Sequence, residues 1–306
     1  MGGLEAGFAE YVQFRAAFDN DPAALATHEM NLPEIERYNL DLYEKSAQER
    51  FLMYPKVDLW VTGPPCQDWV MNQEGKRAEL TLLVADLITR AVAQGTEPTL
   101  LVLEQSSKWR RGEIFPKFHA LMTMVGYENA HYTTQARVAG VCESVARSIS
   151  IYVRGQSLML GDDSSSRVSR ALRRWEAIVH NDHKRFKQAG KPAPTVREVL
   201  RCVEPAYTFR PWITGGQSPY VRSTDKPCPK ILANSLDIPS WYPPHEKDVT
   251  DEPSLIRKLT VDDALLLASF PPWWKLPDGI SKTAAMQLIA NAVPYAGARY
   301  LARTLS

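Results

Sequence analysis

No stretch of this sequence is apolar for long enough to cross a bilayer. The best candidate, "LTLLVADLITRAVA", is interrupted by Asp86 and Arg90, well short of the roughly 18 residues required. Cysteine is scarce. The four present, Cys66, Cys142, Cys202 and Cys228, lie far apart and form no C-x-x-C pair, which points away from a disulfide framework and from a bound metal. A reducing compartment is therefore expected, cytoplasmic or in the nucleoid or nucleus, rather than secretion. The opening "MGGLEAGFAEY" lacks the basic flank of a secretory signal, and Ala6 stands where a myristoylation site wants Ser or Thr. Charge of one sign is missing too: 36 Lys and Arg balance 35 Asp and Glu, so a net charge of +1 gives no global attraction to nucleic acid or membrane. Any basic surface must be local. Internal repeats and low-complexity tracts are also absent.

What is present is a chain of 306 residues, 44% hydrophobic and 23% charged, enough for one large domain with a smaller attachment. Strand-length apolar runs at 11–18 ("YVQFRAAF"), 57–63 ("VDLWVTG"), 99–105 ("TLLVLEQ") and 148–155 ("SISIYVRG") alternate with helical periodicity at 78–95 and 114–127. That alternation predicts right-handed crossovers and an α/β fold with a mostly parallel, Rossmann-like sheet. In such sheets ligands bind beyond the carboxyl ends of the strands, where "GPPCQ" (63–67) and "EQSS" (104–107) both fall. Helical pattern returns at 259–271 and 281–305.

Between about 154 and 250 the character changes, with 16 Lys and Arg against 10 Asp and Glu. The excess clusters in "RVSRALRRW" (167–175) and "HKRFKQAGK" (183–191), followed by the aromatic, Gly-rich "YTFRPWITGGQSPY" (207–220). Basic residues beside aromatics suit a phosphate backbone and unstacked bases. A solvated helix face followed by a Pro-rich connector gives the same composition.

A lone cysteine after a strand is more often buried and inert than nucleophilic, because a free thiol titrates near 8.5 and needs an electropositive, partly exposed setting to react. Cys66 has company that changes this balance: Glu104 at the end of the next strand, Arg147 beside another, "FDND" at 18–21 and "ANAVP" at 290–294. In this order and spacing they resemble the motif series of the cytosine-C5 methyltransferases, over most of the chain outside the basic segment. "GPPCQ" is similar to the family's catalytic loop, which implies Cys66 as nucleophile and Pro65 as the residue shaping its turn. "LEQS" (103–106) resembles the Glu-Asn-Val motif, with Glu104 kept and Gln105 and Ser106 replacing the others. "GVCESVARSISIYVRG" (140–155) resembles the Gln-x-Arg-x-Arg motif, of which Arg147 survives while Glu143 and Val145 occupy the other positions. "STDKPCPKI" (223–231) is similar to the segment that closes the recognition region, and "LIANAVP" (288–294) to the final motif, with Ala290 in place of glycine.

The resemblance implies a Rossmann-like methyltransferase sheet formed by 1–153 with 252–306, and a smaller inserted target-recognition region at 154–251. It implies S-adenosylmethionine as cofactor, no metal, no membrane, monomeric action, and duplex DNA with a flipped cytosine as substrate. Cys66 would add at carbon 6 of the ring, while Glu104 would protonate or hydrogen-bond the N3 edge and Arg147 would steady the displaced charge. RNA cytosine methylation, and a binding-only relative of the family, are the alternatives that the residues leave open. Asp68 and Trp69 stand where the family often carries small residues.

For the cofactor, the resemblance implies Asp19 on the ribose hydroxyls and Asp41 near the adenine amino group, with Asn20, Leu42, Pro64, Asn291 and Val293 completing the lining. Taken alone, each Asp reads equally as a turn or helix cap. "MGGLEAGF" looks like the tail of the family's Phe-x-Gly-x-Gly loop, leaving Gly2 and Gly3 as its remnant, with the preceding first strand and Phe-x-Gly portion missing. A central strand buries several aliphatic side chains worth roughly 1.5 to 3 kcal/mol each. The expectation is a fragile chain that binds cofactor poorly. Extending the chain by such a strand should raise its unfolding midpoint, and an unchanged midpoint counts against the idea.

Overall fold

The computed structural model describes residues 2–65, 76–155, 164–190, 193–209, 220–236 and 247–306. These form two compact units, one made of Met1–Asn39, Gln135–Val145 and Phe186–Ser306, the other of Leu40–Thr134 and Ala146–Arg185.

The first unit opens with helix α1 (Gly3–Phe8), strand β1 (Ala16–Asp19), helix α2 (Pro22–Asn31) and strand β2 (Glu36–Asn39). The apolar run at 11–18 turns into strand only at Ala16. Its first residues are used to leave α1, with the amides of Tyr11 and Val12 donating to the Phe8 carbonyl. Strands β1 and β2 pair in parallel, setting Asp19 opposite Asn39. Helix α2 starts where its sequence says it should: Pro22 supplies a pre-set φ, and Asp21 Oδ1 accepts from the amides of Ala23 and Ala24 at 2.8 and 3.3 Å.

The same unit holds helix α7 (Val196–Leu200) and a three-stranded sheet of β7 (Ala206–Phe209), β8 (Tyr220–Ser223) and β9 (Ile256–Lys258), ordered β8-β7-β9. It ends in helices α8 (Val261–Leu267), α9 (Lys282–Asn291) and α10 (Tyr295–Leu305). Residues 281–305 are thus two helices, parted at Pro294, which cannot donate to the helix before it. Leu32, Leu265, Leu267, Phe270, Trp274, Met286 and Ile289 share one core. Gly7 lets α1 lie on α10, because a Cβ there would meet Ala298 Cβ at 2.4 Å and the Arg299 amide nitrogen at 2.6 Å. Any larger residue would push the two helices apart.

The second unit contains helix α3 (Lys45–Leu52), strand β3 (Leu59–Thr62), helix α4 (Lys76–Gln94), strand β4 (Leu100–Ser106), helix α5 (Ile114–Met124), strands β5 (Tyr127–Gln135) and β6 (Ala146–Arg154), and the long helix α6 (Ser164–Ala189). Its sheet runs β3-β4-β6-β5, with β3 and β4 parallel and β4 and β6 antiparallel. The fold class is α/β, as expected, but in this sheet the parallel β3–β4 pair is followed by an antiparallel strand, β6. Alternation along β4 divides the sheet's duties. Leu101 and Leu103, with Tyr152 of β6, pack under Ala85 and Ile88 of α4 and Phe118 and Met122 of α5, whereas Val102 and Glu104 point to the opposite face.

Helix α6 lies on β5. Leu172, Trp175, Val179 and His183 form its buried stripe at helical spacing. Glu176 accepts from the His131 amide at 3.2 Å, and His183 Nε2 lies 3.3 Å from Thr134 Oγ1. No described helix is long and apolar enough to cross a membrane.

Candidate active site

Strand β3 ends at Thr62 and runs into Gly63, Pro64 and Pro65; Pro64 is buried and Pro65 exposed. Cys66 follows at once and lies outside the described residues, as do Asp68 and Trp69. What the structure does describe is the support for the segment leading to it. Gln105 of β4 is fully buried, and its side-chain amide donates to the Pro64 carbonyl at 3.0 Å and to Thr81 Oγ1 of α4 at 3.3 Å. In the sequence, Gln105 stands only as a departure from the asparagine of the motif that it resembles. Its signal was present: an amide at the end of an apolar central strand must find partners or cost free energy.

One residue earlier, on the other face of the sheet, Glu104 meets Arg147 of β6 with Oε1 and Nε 2.9 Å apart, the side chains 9% and 8% exposed. Register explains the meeting. Glu104 stands opposite Ile149 and Arg147 opposite Ser106, so the two are diagonal neighbours on one face, within reach of long side chains. The guanidinium does not aim its Nε–H along the line to Oε1, and the contact is an ion pair rather than a well-aligned hydrogen bond. Burial of both partners removes the water that would otherwise solvate either charge. Removing either partner would leave a buried polar group poorly compensated.

In the first unit Glu143, 5% exposed, accepts from the Ile231 amide at 2.8 Å; the Cys228 amide donates to Cys142 Sγ at 3.3 Å, and the Ser144 amide to the Cys228 carbonyl at 3.0 Å. Segment 142–144 is thus stitched to 228–231. Burial pushes the Cys142 thiol up to about 11 and the Cys228 thiol well above its ordinary range, so neither is a nucleophile. Glu143 replaces an uncharged residue of the family motif, and sequence spacing alone gives no hint that it holds a backbone amide 88 positions away.

The residues assigned to the cofactor fall in both units. In the first, Gly2 has φ 78°, a left-handed conformation favourable to glycine, and Gly3 is packed so closely that a Cβ would meet the Val293 carbonyl oxygen at 2.4 Å. Asn291 ends α9, two positions before Val293. Asp19 closes β1 and Asn20 is exposed beyond it; Asp19 Oδ1 accepts from the Asp21 amide at 3.0 Å. In the second unit Asp41 Oδ1 accepts from the Tyr43 amide at 3.0 Å, which is a turn contact, and Leu42 packs beside Leu52, Leu87 and Ala91. Among the described residues no group of three or more His, Cys, Asp or Glu is placed to hold a metal.

The sequence signature of the C-5 cytosine-specific DNA methylases matches residues 1–201 and 162–306. The chain belongs to that family. It is 27% identical over 312 residues to the type II methyltransferase M.HgiDI of Herpetosiphon aurantiacus, covering all of this chain and 89% of the relative. It is 27% identical over 315 residues to M.HindV of Haemophilus influenzae, covering 99% and 93%. Among solved structures, S. pombe Dnmt2 methyltransferase superposes with a TM-score of 0.68 at 14% identity, covering 99% of this chain and 95% of that one. A putative DNA modification methyltransferase from an E. coli prophage gives 0.62 at 16% identity, covering 99% and 95%. At these identities the structural likeness speaks for the methyltransferase fold alone.

Proposed function

We propose that this cytosine-C5 methyltransferase transfers a methyl group from S-adenosylmethionine to carbon 5 of cytosine in duplex DNA, through a transient bond from Cys66 to carbon 6. The observation that carries this reading is the buried Glu104–Arg147 pair at the end of β4, beside a Gln105 that holds the carbonyl of Pro64 two residues before Cys66.

Carbon 5 of cytosine is too electron-poor to accept a methyl group unaided. Addition of the Cys66 thiolate at carbon 6 breaks the 5,6 double bond and pushes its electron pair into the ring. Glu104 in its acid form gives a proton or hydrogen bond to N3, and Arg147 holds that carboxyl in place and offsets charge on the neighbouring oxygen. When bound, S-adenosylmethionine supplies an electrophilic sulfonium methyl group. Loss of the carbon-5 proton to water then restores the 5,6 double bond and expels the Cys66 thiolate. Pro65 shapes the turn that presents the thiol.

The residues present fit the cofactor. Asp19 ends a parallel strand with Oδ1 committed to its own turn, leaving Oδ2 for a diol, and the close packing of Gly3 on Val293 admits no side chain. Gly2, Gly3, Asn291 and Val293 would hold the amino-acid end, Asp19 and Asn20 the ribose, and Asp41, Leu42 and Pro64 the adenine side. A target cytosine inside a duplex must be flipped out, and residues 154–251 would supply the target-recognition surface to a catalytic domain of 1–153 and 252–306. The enzyme would act as a monomer.

Trapping tests the whole reading. With S-adenosylmethionine and a duplex carrying 5-fluorocytosine, fluorine cannot leave as a proton does, so the enzyme should remain attached through its sulfur. A denaturation-resistant adduct that disappears in Cys66→Ala supports the reading. An adduct with single-stranded RNA alone moves the substrate to RNA, and none with either substrate sinks the catalytic proposal.

A further inference from the structure

We propose that the outer face of α6 is a duplex-backbone clamp, with two basic clusters that grip phosphates on either side of one groove. The inference rests on the DNA reading above and adds a surface and a mode of contact to it.

The inner side of α6 is fixed. Leu172, Trp175, Val179 and His183 are buried, and Glu176 is turned to the His131 amide. Ser169 donates to the Glu128 carboxylate of β5, so contacts to the strand recur along the helix. The outer side carries Arg167, Arg170, Arg173 and Arg174 near its start and Lys184 and Arg185 further on, all exposed. Between the clusters the exposed residues are Ala177, Ile178, His180 and Asn181. Arg173, Arg174, Lys184 and Arg185 form no ion pair with a described carboxylate.

A merely solvated helix would be expected to alternate its charges, since Glu and Lys four apart stabilise it while like charges at that spacing destabilise it. Here cations stand side by side at each end of the exposed face, Arg173 with Arg174 and Lys184 with Arg185. The acids of this stretch, Glu176 and Asp182, are half-buried, which leaves the outer stripe positive at both ends with an uncharged middle. Like charges gathered in this way repel one another, and phosphates that approach them offset that repulsion. At 1.5 Å rise per residue, the ten steps from Arg174 to Lys184 separate the clusters by about 15 Å. A major groove about 12 Å wide, flanked by phosphates on both strands, matches two clusters at that separation joined by an uncharged middle. A single strand offers no second row of phosphates at a fixed distance.

Fluorescence anisotropy tests this with the full chain, a 20-base-pair duplex and the corresponding single strand, over a salt series, for wild type, Arg173→Gln/Arg174→Gln and Lys184→Gln/Arg185→Gln. Each variant should lower the slope of log K against log salt on the duplex by about 2, at about 0.9 per phosphate contact, and weaken binding on the order of 10- to 100-fold at 0.1 M salt. Circular dichroism should show both variants folded, as the replaced side chains are exposed. An effect from only one cluster overturns the bridging geometry, and equal losses on duplex and single strand reduce the helix to a general polyanion surface. Unchanged duplex binding overturns the proposal altogether. The fluorocytosine assay on the same proteins keeps the two readings apart: adducts with unchanged duplex binding would sink the helix assignment alone, whereas the expected binding losses with no adduct from wild type would sink the catalytic reading alone.

Discussion

The end of β4 and the turn after β8 each set an arginine against a carboxylate, and the two pairs do different work. Glu104 and Arg147 are about nine-tenths buried and diagonal across an antiparallel register. Arg197 and Asp225 are much more exposed, at 33% and 64%, and Arg197 also donates to the carbonyls of Cys202 and Val203. Water can replace Asp225 for Arg197, whereas burial keeps water from taking the place of Glu104 beside Arg147. The first pair is therefore costly to keep and more costly to break, and a functional role accounts for such a pair better than stability does.

The sharpest way to break this comparison is Glu104→Gln. Removing one charge of a buried pair should cost about 3–5 kcal/mol of unfolding free energy, and losing the N3 proton donor should slow adduct formation by roughly 10²- to 10⁴-fold. Urea unfolding and single-turnover trapping measure the two effects. Pairing Glu104→Gln with Arg147→Met should recover much of the stability and none of the rate. If the double variant is no more stable than the single, the pair is not energetically coupled.

Gln105→Leu comes next. It leaves the Pro64 carbonyl and Thr81 hydroxyl without their buried partner, at about 1–3 kcal/mol. Gln105 acts through the loop rather than on the ring, so kcat should fall on the order of 10-fold, at about 1.4 kcal/mol per tenfold change, while the KM for DNA holds. Glu restoring the rate would argue for an acidic rather than a positioning role.

A smaller effect distinguishes His131, which lies among Phe115, His119 and Tyr152 with Arg110 nearby. Burial, then the Arg110 and His119 charges, lower its pKa from 6.5 to about 3. Between those values the unfolded chain takes up a proton that the folded chain refuses, so stability falls as pH drops below 6.5, by at most about 1.4 kcal/mol per pH unit from this group. His131→Phe should flatten that slope in denaturant titrations at pH 5 and 7. An unaltered slope would mean that the imidazole is protonated in place. The smallest effect is expected of Asp225→Asn, which should leave the thermal midpoint where it is; a clear drop would make the exposed pair as consequential as the buried one.

Much of the second unit was legible in advance. The runs at 57–63, 99–105 and 148–155 became β3, β4 and β6; β4 is covered on both faces and is apolar without a break from Leu100 to Leu103, whereas β6 buries Ser148 and Ser150 among its apolar residues. The periodic segment at 78–95 became α4. Strands β2 ("ERYN") and β5 ("YENAHYTTQ") escaped notice because polar, partly exposed strands lack that signal. Helical periodicity extends to Tyr127 in the sequence, yet Tyr127 begins β5, after Gly126 takes a left-handed φ of 86° that ends α5.

By itself the sequence determined which elements form and which chemistry-bearing residues end them, because hydrophobic periodicity and local capping act over a few residues. Asp21 with Pro22 at the start of α2 is such a case, as is Glu104 at the end of an apolar strand. Only the tertiary structure decided that Glu104 faces Arg147 while Gln105 turns back to Pro64, and that Glu143 holds the amide of Ile231. Those facts depend on strand register and on which face each residue takes, and a shift of one position along β6 would exchange the faces. Cooperative packing of the sheet against its helices sets that register.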